Sequence, residues 1–405
     1  MTNEKDQLDI NTEDVLKSVK LNFEDDTEND IPKKNISKES KITKPLPVCT
    51  EINIDEEANK LYAEFSEFIE DKVEMKQDSG IKSVIPTGVD LLDAILGGGI
   101  AIGGLDIIVG SPGSGKSMLA IQTLAQAQNQ FSGELIGAYL DSEEATTAIR
   151  LSNLGVRYPK IKPYPDITVE KVFKFLEGLC LFKENKKLTH IPSVVIWDSI
   201  ANTLSEKERE AVDVNSVIGY KARMLSILIP KYVARCAQYN IALVGVNQLR
   251  DVLSIGPYSA PRDLKFLSSS KTMPGGNILR YNAFHLIEMN VKSVLKPDMY
   301  GFDGVIDKVK CVKNKLFPPN IEVEIVGSFT TGFSNFWTNF NFLKETKRLH
   351  AGAWNYLVSM PDKKFRTKDA ESTYNTDSDF KSKFDETSKE AIQTEIIDKY
   401  NPVIE

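Results

Sequence analysis

Apolar residues recur along this chain in two rhythms. Short runs rich in branched residues, at 106–109, 135–140, 193–197, 241–246, 283–289, 308–312 and 321–325, read as strands. Helical stretches separate the first four. That alternation predicts an α/β fold, a mostly parallel central sheet with helices on both faces. The last three runs follow without long helices between them and predict an antiparallel extension of the sheet. Upstream, Ala58, Leu61, Tyr62, Phe65, Phe68 and Ile69 recur at helical spacing behind Asp55, a residue suited to cap the helix. A helix with one apolar stripe packs on its own core or docks on a neighbouring subunit.

These rhythms divide the chain. Residues 1–54 are polar, with Phe23 their only aromatic, and cannot bury enough apolar surface to offset ordering; a disordered acidic/polar tail is expected. Residues 55–80 hold the N-terminal helix and a linker, and 81–329 hold the core. A small C-terminal α+β domain is expected over 330–405, opening with the aromatic residues Phe333, Phe336, Trp337, Phe340 and Phe342.

Composition changes the picture only by exclusion. Of 405 residues, 41% are hydrophobic and 26% charged, ordinary for a globular protein. A net charge of -7 excludes a uniformly basic coat for nucleic acid but leaves room for a local basic groove. Cys49, Cys180, Cys236 and Cys311 lie too far apart for zinc-ligand spacing and fit a reducing compartment. The first residues, Met1-Thr-Asn-Glu-Lys, are too polar for a signal peptide. No apolar run approaches the ~18 residues of a membrane span. A cytoplasmic protein is expected.

Chemistry concentrates at the ends of the predicted strands. The run 106–109 leads into Gly110-Ser111-Pro112-Gly113-Ser114-Gly115-Lys116-Ser117, and Lys116-Ser117-Met118 opens a helix. A strand, a glycine-rich loop and a helix in this order cradle phosphates with backbone N–H groups and the positive end of the helix. ATP is therefore expected on residues 110–118. Lys116 should reach the β- and γ-phosphates, and the Ser117 hydroxyl should ligate Mg²⁺. Asp198 ends the run 193–197, where ligands bind in open α/β sheets, and suits the magnesium shell; a plain cap on the following turn is the alternative. Asp141-Ser-Glu143-Glu144 ends another run at the same edge, and Glu143 is favoured over Glu144 as the base that activates water.

In this order the pieces resemble the RecA-type recombinases of bacteria and their bacteriophages. Residues 85–99, Ile-Pro-Thr-Gly-Val-Asp-Leu-Leu-Asp-Ala-Ile-Leu-Gly-Gly-Gly, are similar to the family's entry into the phosphate loop. Asp141-Ser-Glu143 matches its Asp-x-Glu, whose glutamate activates water, and Asp141 is expected among the nucleotide contacts. Gln248, in Val244-Gly-Val-Asn-Gln-Leu-Arg250, matches its γ-phosphate sensor. The resemblance implies a RecA-like P-loop ATPase core, with a single-stranded DNA loop from Arg250 to about Met273 that ends in Pro274-Gly275-Gly276-Asn277. Arg250, Arg262, Lys265 and Lys271, with Phe266, suit that contact. A first DNA loop should fall at 206–215, but the residues there are acidic on balance, a departure from the family. Lys313 and Lys315, in Lys310-Cys-Val-Lys-Asn-Lys, resemble the lysines that reach a neighbour's ATP. His350-Ala-Gly-Ala-Trp354 resembles the start of the family's C-terminal domain. Arg150 falls where the family stacks a tyrosine on adenine.

The function so implied is a DNA-dependent ATPase that forms helical filaments and exchanges strands in recombination and repair. Expected partners are single- and double-stranded DNA, further copies of the chain, and single-strand-binding and loader proteins, in a bacterial or virus-infected bacterial cell. The rival readings are a ring-forming helicase or branch-migration motor, and a non-catalytic nucleotide switch.

Overall fold

The computed structural model describes residues 83–132, 134–144, 146–157, 163–251 and 271–400. The tail, the helix expected behind Asp55, Arg262, Lys265 and Phe266 lie outside these residues. Strands β1 (Ser83–Ile85) and β2 (Ile100–Ile102) pair around α1 (Asp90–Leu96). Then come β3 (Leu105–Gly110), α2 (Lys116–Gln130), β4 (Ile136–Asp141), α3 (Ala148–Asn153), β5 (Pro163–Tyr164), α4 (Val169–Asn185) and β6 (Ser193–Asp198). After α5 (Glu206–Glu210) and α6 (Tyr220–Gln238), β7 (Ile241–Gln248) completes the run of alternating elements. Two short strands, β8 (Arg250–Asp251) and β9 (Lys271–Thr272), pair with each other before α7 (Asn277–Asn282). The chain continues through β10 (His285–Leu295), α8 (Pro297–Tyr300), β11 (Gly304–Lys313), β12 (Glu322–Ser328), β13 (Gly332–Ser334) and α9 (Asn335–Glu345). A small sheet of β14 (Leu349–His350), β15 (Asn355–Leu357) and β16 (Met360–Phe365) precedes α10 (Ala370–Thr376) and α11 (Ser378–Ile392).

The large sheet has the order β13-β12-β11-β10-β3-β7-β6-β4-β5. Every pair from β10 to β5 is parallel, and those from β10 to β13 are antiparallel. The antiparallel extension thus begins one strand later than the spacing suggested. β10 enters parallel to β3 because the connection from Gln248 to His285 is long enough to recross the sheet and carries α7.

β3 is buried along its whole length, as a central parallel strand must be. On one face α2 packs on β3, β6 and β7, while α1 and α9 pack on β12, and all share a single core with α11. Lys116 is the only charge in α2, and eleven of its fifteen residues are buried, since the helix packs against β3, β6 and β7 and also meets β1 and β13. Its buried Gln122 is satisfied by the Thr87 carbonyl at 3.1 Å and by the Phe333 backbone, from which it accepts at 2.7 Å. The aromatics Phe333, Phe336, Trp337, Phe340 and Phe342 sit in β13 and α9 and share this core. The opposite face is covered by α4 and α6, where Phe173 packs edge-on against Trp197 at 5.9 Å.

Two buried polar groups pin this frame. Lys183, at the end of α4, donates to the Ile191 carbonyl (2.6 Å), the Ser193 hydroxyl (3.0 Å) and the Tyr239 carbonyl. His285 lies between the Asp106 carboxylate (2.7 Å) and the Leu96 carbonyl (3.0 Å), joining β10 to β3 and α1.

Candidate nucleotide-binding site

The loop after β3 begins where the sheet leaves no room for a side chain. A Cβ on Gly110 would lie 2.2 Å from the Met289 carbonyl oxygen of β10. Gly115 closes the loop with φ +68°, a left-handed conformation that favours glycine, and hands the chain to α2. Within the loop, the Ser114 hydroxyl donates to the Ser111 carbonyl at 2.9 Å. Lys116 folds back and donates to the same carbonyl at 2.7 Å. Burial pulls its pKa down, while Asp198, Glu143 and Asp307 oppose that shift. Met118, expected among the nucleotide contacts, is buried with its side chain beside Gly115 and Gly327.

Parallel register brings the carboxylates to the same edge. Asp141 and Asp198 are neighbours on β4 and β6, and Asp198 is next to Val246 of β7. Asp198 accepts from the Tyr139 hydroxyl at 2.6 Å and is hydrogen-bonded to Ser117. Burial raises the pKa of Asp198, and those two bonds act against the rise. Asp141 accepts from the backbone N–H groups of Glu143 (3.1 Å) and Thr146 (2.9 Å). It shapes the turn that carries Glu143. The Glu143 carboxylate accepts from Asn202 at 2.6 Å and from Ser199 at 3.2 Å, at the edge shared with Asp198. Glu144 points elsewhere and accepts from the Asp166 backbone at 3.2 Å.

Gln248 ends β7 in register with Gly110, beside the root of the loop. Its N–H donates to the Asn247 side-chain oxygen at 2.9 Å, while the Asn247 amide donates to the Pro274 carbonyl at 2.8 Å. One side chain therefore joins both ends of the expected DNA loop. Arg250 and Lys271 enter through the backbone of the β8–β9 stem, paired with Thr272 and Asp251. Gly275 and Gly276, with φ of +96° and +79°, lead into Asn277 and α7.

The remaining residues lie apart from the phosphate loop. Arg150 in α3 donates to the Phe329 carbonyl, between β12 and β13. Lys313 is in register with Leu286, which pairs with Ile107, three residues before Gly110 and two strands away. At ~3.3 Å per residue and ~4.8 Å per strand its Cα is over 10 Å from the loop root. Its ammonium donates to the last carbonyls of α7, at Arg280 (3.0 Å) and Tyr281 (2.7 Å). Burial, then the like charges of Lys315 and Arg280, push its pKa down. Lys315 lies 5.6 Å from the centre of the Phe284 ring. The acidic stretch 206–215 contains α5, closed by a Ser205–Glu208 capping box, and Glu170 accepts the Glu206 N–H at 2.9 Å. Of the acids in this stretch, Glu208 thus caps the helix.

Tyr139, Asn202 and Thr146 join the site without a signal in the sequence. Their roles come from packing between strands that spacing does not report. Asp307 does carry a signal: an acid in alternation with Val309 and Cys311 on a buried face.

The donor set fits a magnesium nucleotide. It offers a glycine-shaped loop, a buried lysine at a helix N-terminus, a hydroxyl bonded to a buried carboxylate, and a second carboxylate nearby. Among the described residues no three His, Cys, Asp or Glu side chains form a ready-made metal site, so a bound magnesium would also draw on phosphate oxygens and water.

Fold and loop together define the class, an α/β protein of the phosphate-loop kind. The family profile of the RecA N-terminal domain matches residues 64–334. Protein RecA of Thermus thermophilus is 31% identical over 252 residues, 62% of this chain and 68% of that protein. Protein RecA of Geobacter metallireducens is 30% identical over 275 residues, 67% of this chain and 74% of its own length. The chain belongs to the RecA family of recombinases. Among the described residues no helix is long and apolar enough to cross a membrane.

Proposed function

We propose that the chain is an ATP-driven strand-exchange protein that assembles head to tail on single-stranded DNA. Family membership carries the coarse part, ATP and DNA. The observation that carries the rest is the link through β7: Gln248 sits beside Gly110, and Asn247 ties Gln248 to Pro274 at the far end of the expected DNA loop. A change at the phosphate end can then reach the stem that holds Arg250 and Lys271.

In this reading Lys116 and the loop N–H groups hold the polyphosphate, while Ser117 and Asp198 orient magnesium. When bound, magnesium offsets charge on the phosphate oxygens as the terminal bond breaks. Glu143, held by Asn202 and Ser199, takes the proton of the attacking water. The commitment of Glu144 to Asp166 supports the choice of Glu143. Arg150 offers a guanidinium face to the base. Lys313 and Lys315, remote from their own loop, serve a neighbour's phosphates. Such a heterologous contact repeats into a helix.

Electron microscopy with single-stranded DNA and a non-hydrolysable ATP analogue tests this. Open helical filaments stabilised by DNA are expected. Closed rings would favour a helicase, and assembly indifferent to DNA would favour a nucleotide switch; either overturns the proposal.

A further inference from the structure

Asp307 is fully buried in the middle of β11, and neither carboxylate oxygen has a hydrogen-bond partner among the described residues. Such an orphan acid is expensive to bury and calls for a reason. Strand register locates it. Asp307 pairs with Val291 of β10, two residues beyond Met289, which itself pairs with Gly110. It therefore lies at the phosphate-loop end of the sheet. Alternation puts it with Val309 and Cys311 on the side of the sheet where α1 packs on β11 and α2 on β3. Across from it, Ile325 of β12 belongs to the same core.

The charged groups around it are few. Lys116 is the only charge in α2 and, among the described residues, the one charged group acting on Asp307. Glu288 and Lys292 of β10, Lys308 and Lys310 of β11, and Glu322 and Glu324 of β12 alternate onto the other face. Of the two acids in α1, Asp90 is bonded to Asn335 and Asp93 accepts from Thr87. No charge stands in β13.

We propose that Asp307 is a positioning residue for Lys116: it balances the lysine charge before nucleotide binds and takes a proton from solvent as polyphosphate claims the lysine. The inference rests on the reading of the phosphate site given above. Without nucleotide, burial pushes the Asp307 carboxyl up to about 7, and Lys116 acts against that rise. Phosphate charge at Lys116 removes the opposing influence and raises the value further. A carboxyl whose pKa rises on binding favours binding at low pH, and affinity falls as pH climbs past the free value. Each unit of rise corresponds to roughly tenfold in affinity at the alkaline limit.

The test is calorimetric titration of the full chain with MgADP, between about pH 6 and 8.5, in two buffers of different ionisation enthalpy. The nucleotide titrates in this range too, so the readout is the difference between wild type, Asp307→Asn and Asp307→Glu, with thermal melting to confirm folding. Wild type and Asp307→Glu should take up more protons near pH 7 than Asp307→Asn. Asp307→Asn should bind severalfold more tightly than wild type at the alkaline end and differ little at the acid end. Equal proton uptake and parallel pH profiles in folded Asp307→Asn overturn the inference while leaving the phosphate site intact. Should Asp307→Asn fail to fold, the comparison with Asp307→Glu decides by whether the pH profile follows the side chain. Absence of MgADP binding by wild type at every pH would instead overturn the phosphate site itself.

Discussion

At the scale of single residues, burial decides which groups carry chemistry. Glu143→Gln keeps the bonds to Asn202 and Ser199 within reach but removes the base, so turnover should fall ~100-fold or more with nucleotide binding retained. Unchanged turnover would remove Glu143 from that role. Lys183 has a purely architectural duty, and Lys183→Met strands three acceptors in the core. A loss of about 3 kcal/mol in urea unfolding is expected; a loss under ~1 kcal/mol would mean the acceptors find other partners. Burial holds Asp93 up to about 7, against its ordinary 3.8. Between those values the folded protein keeps a proton that the unfolded chain has released, so stability falls as pH rises through the window. Asp93→Asn, which still offers an oxygen to the Thr87 N–H, should gain on wild type in melting temperature from about pH 4.5 to 7.5.

At the scale of elements, two glycines separate shape from propensity. Gly110→Ala would drive a methyl into the Met289 carbonyl, prise β10 from β3 and displace the phosphate loop. Loss of nucleotide binding with ~1–3 kcal/mol of destabilisation is expected. Gly178 is exposed inside α4 with open space around it, and Gly178→Ala should stabilise by roughly 0.5–1 kcal/mol. The central strands were legible because buried parallel strands read as unbroken apolar runs, and the loop because its spacing is set by phosphate geometry. The direction of β10 was not legible, since its own residues do not encode whether the preceding chain recrosses the sheet. Tyr139 and Asn202 escaped for a related reason: each meets its carboxylate across strands, at separations of 59 residues. Within the acidic stretch 206–215, the part played by Glu208 was legible afterwards only through its capping box with Ser205.

At the scale of the molecule, the proposed filament divides each ATP site between two chains. Mixing Lys313→Ala with Glu143→Ala should restore part of the DNA-stimulated turnover that each lacks alone. No recovery at any ratio would tell against shared sites. Lys313 also caps α7, so Lys315→Ala serves as the variant that leaves those carbonyls bonded. Neutralising Lys265 and Lys271 should flatten the salt dependence of DNA binding by ~0.7 in log–log slope for each phosphate that is no longer neutralised. Asn247 carries a consequence for how this molecule can vary. Because one amide fastens Gln248 and Pro274 together, and β8 and β9 zip the strands above it, the ends of the intervening segment are closed independently of its contents. Lengthening it then adds only a logarithmic entropy, ~0.6 kcal/mol for a doubling. Evolution could rewrite the length and lettering of that segment many times over while the engine beneath it stays in tune, provided Asn247 is left alone.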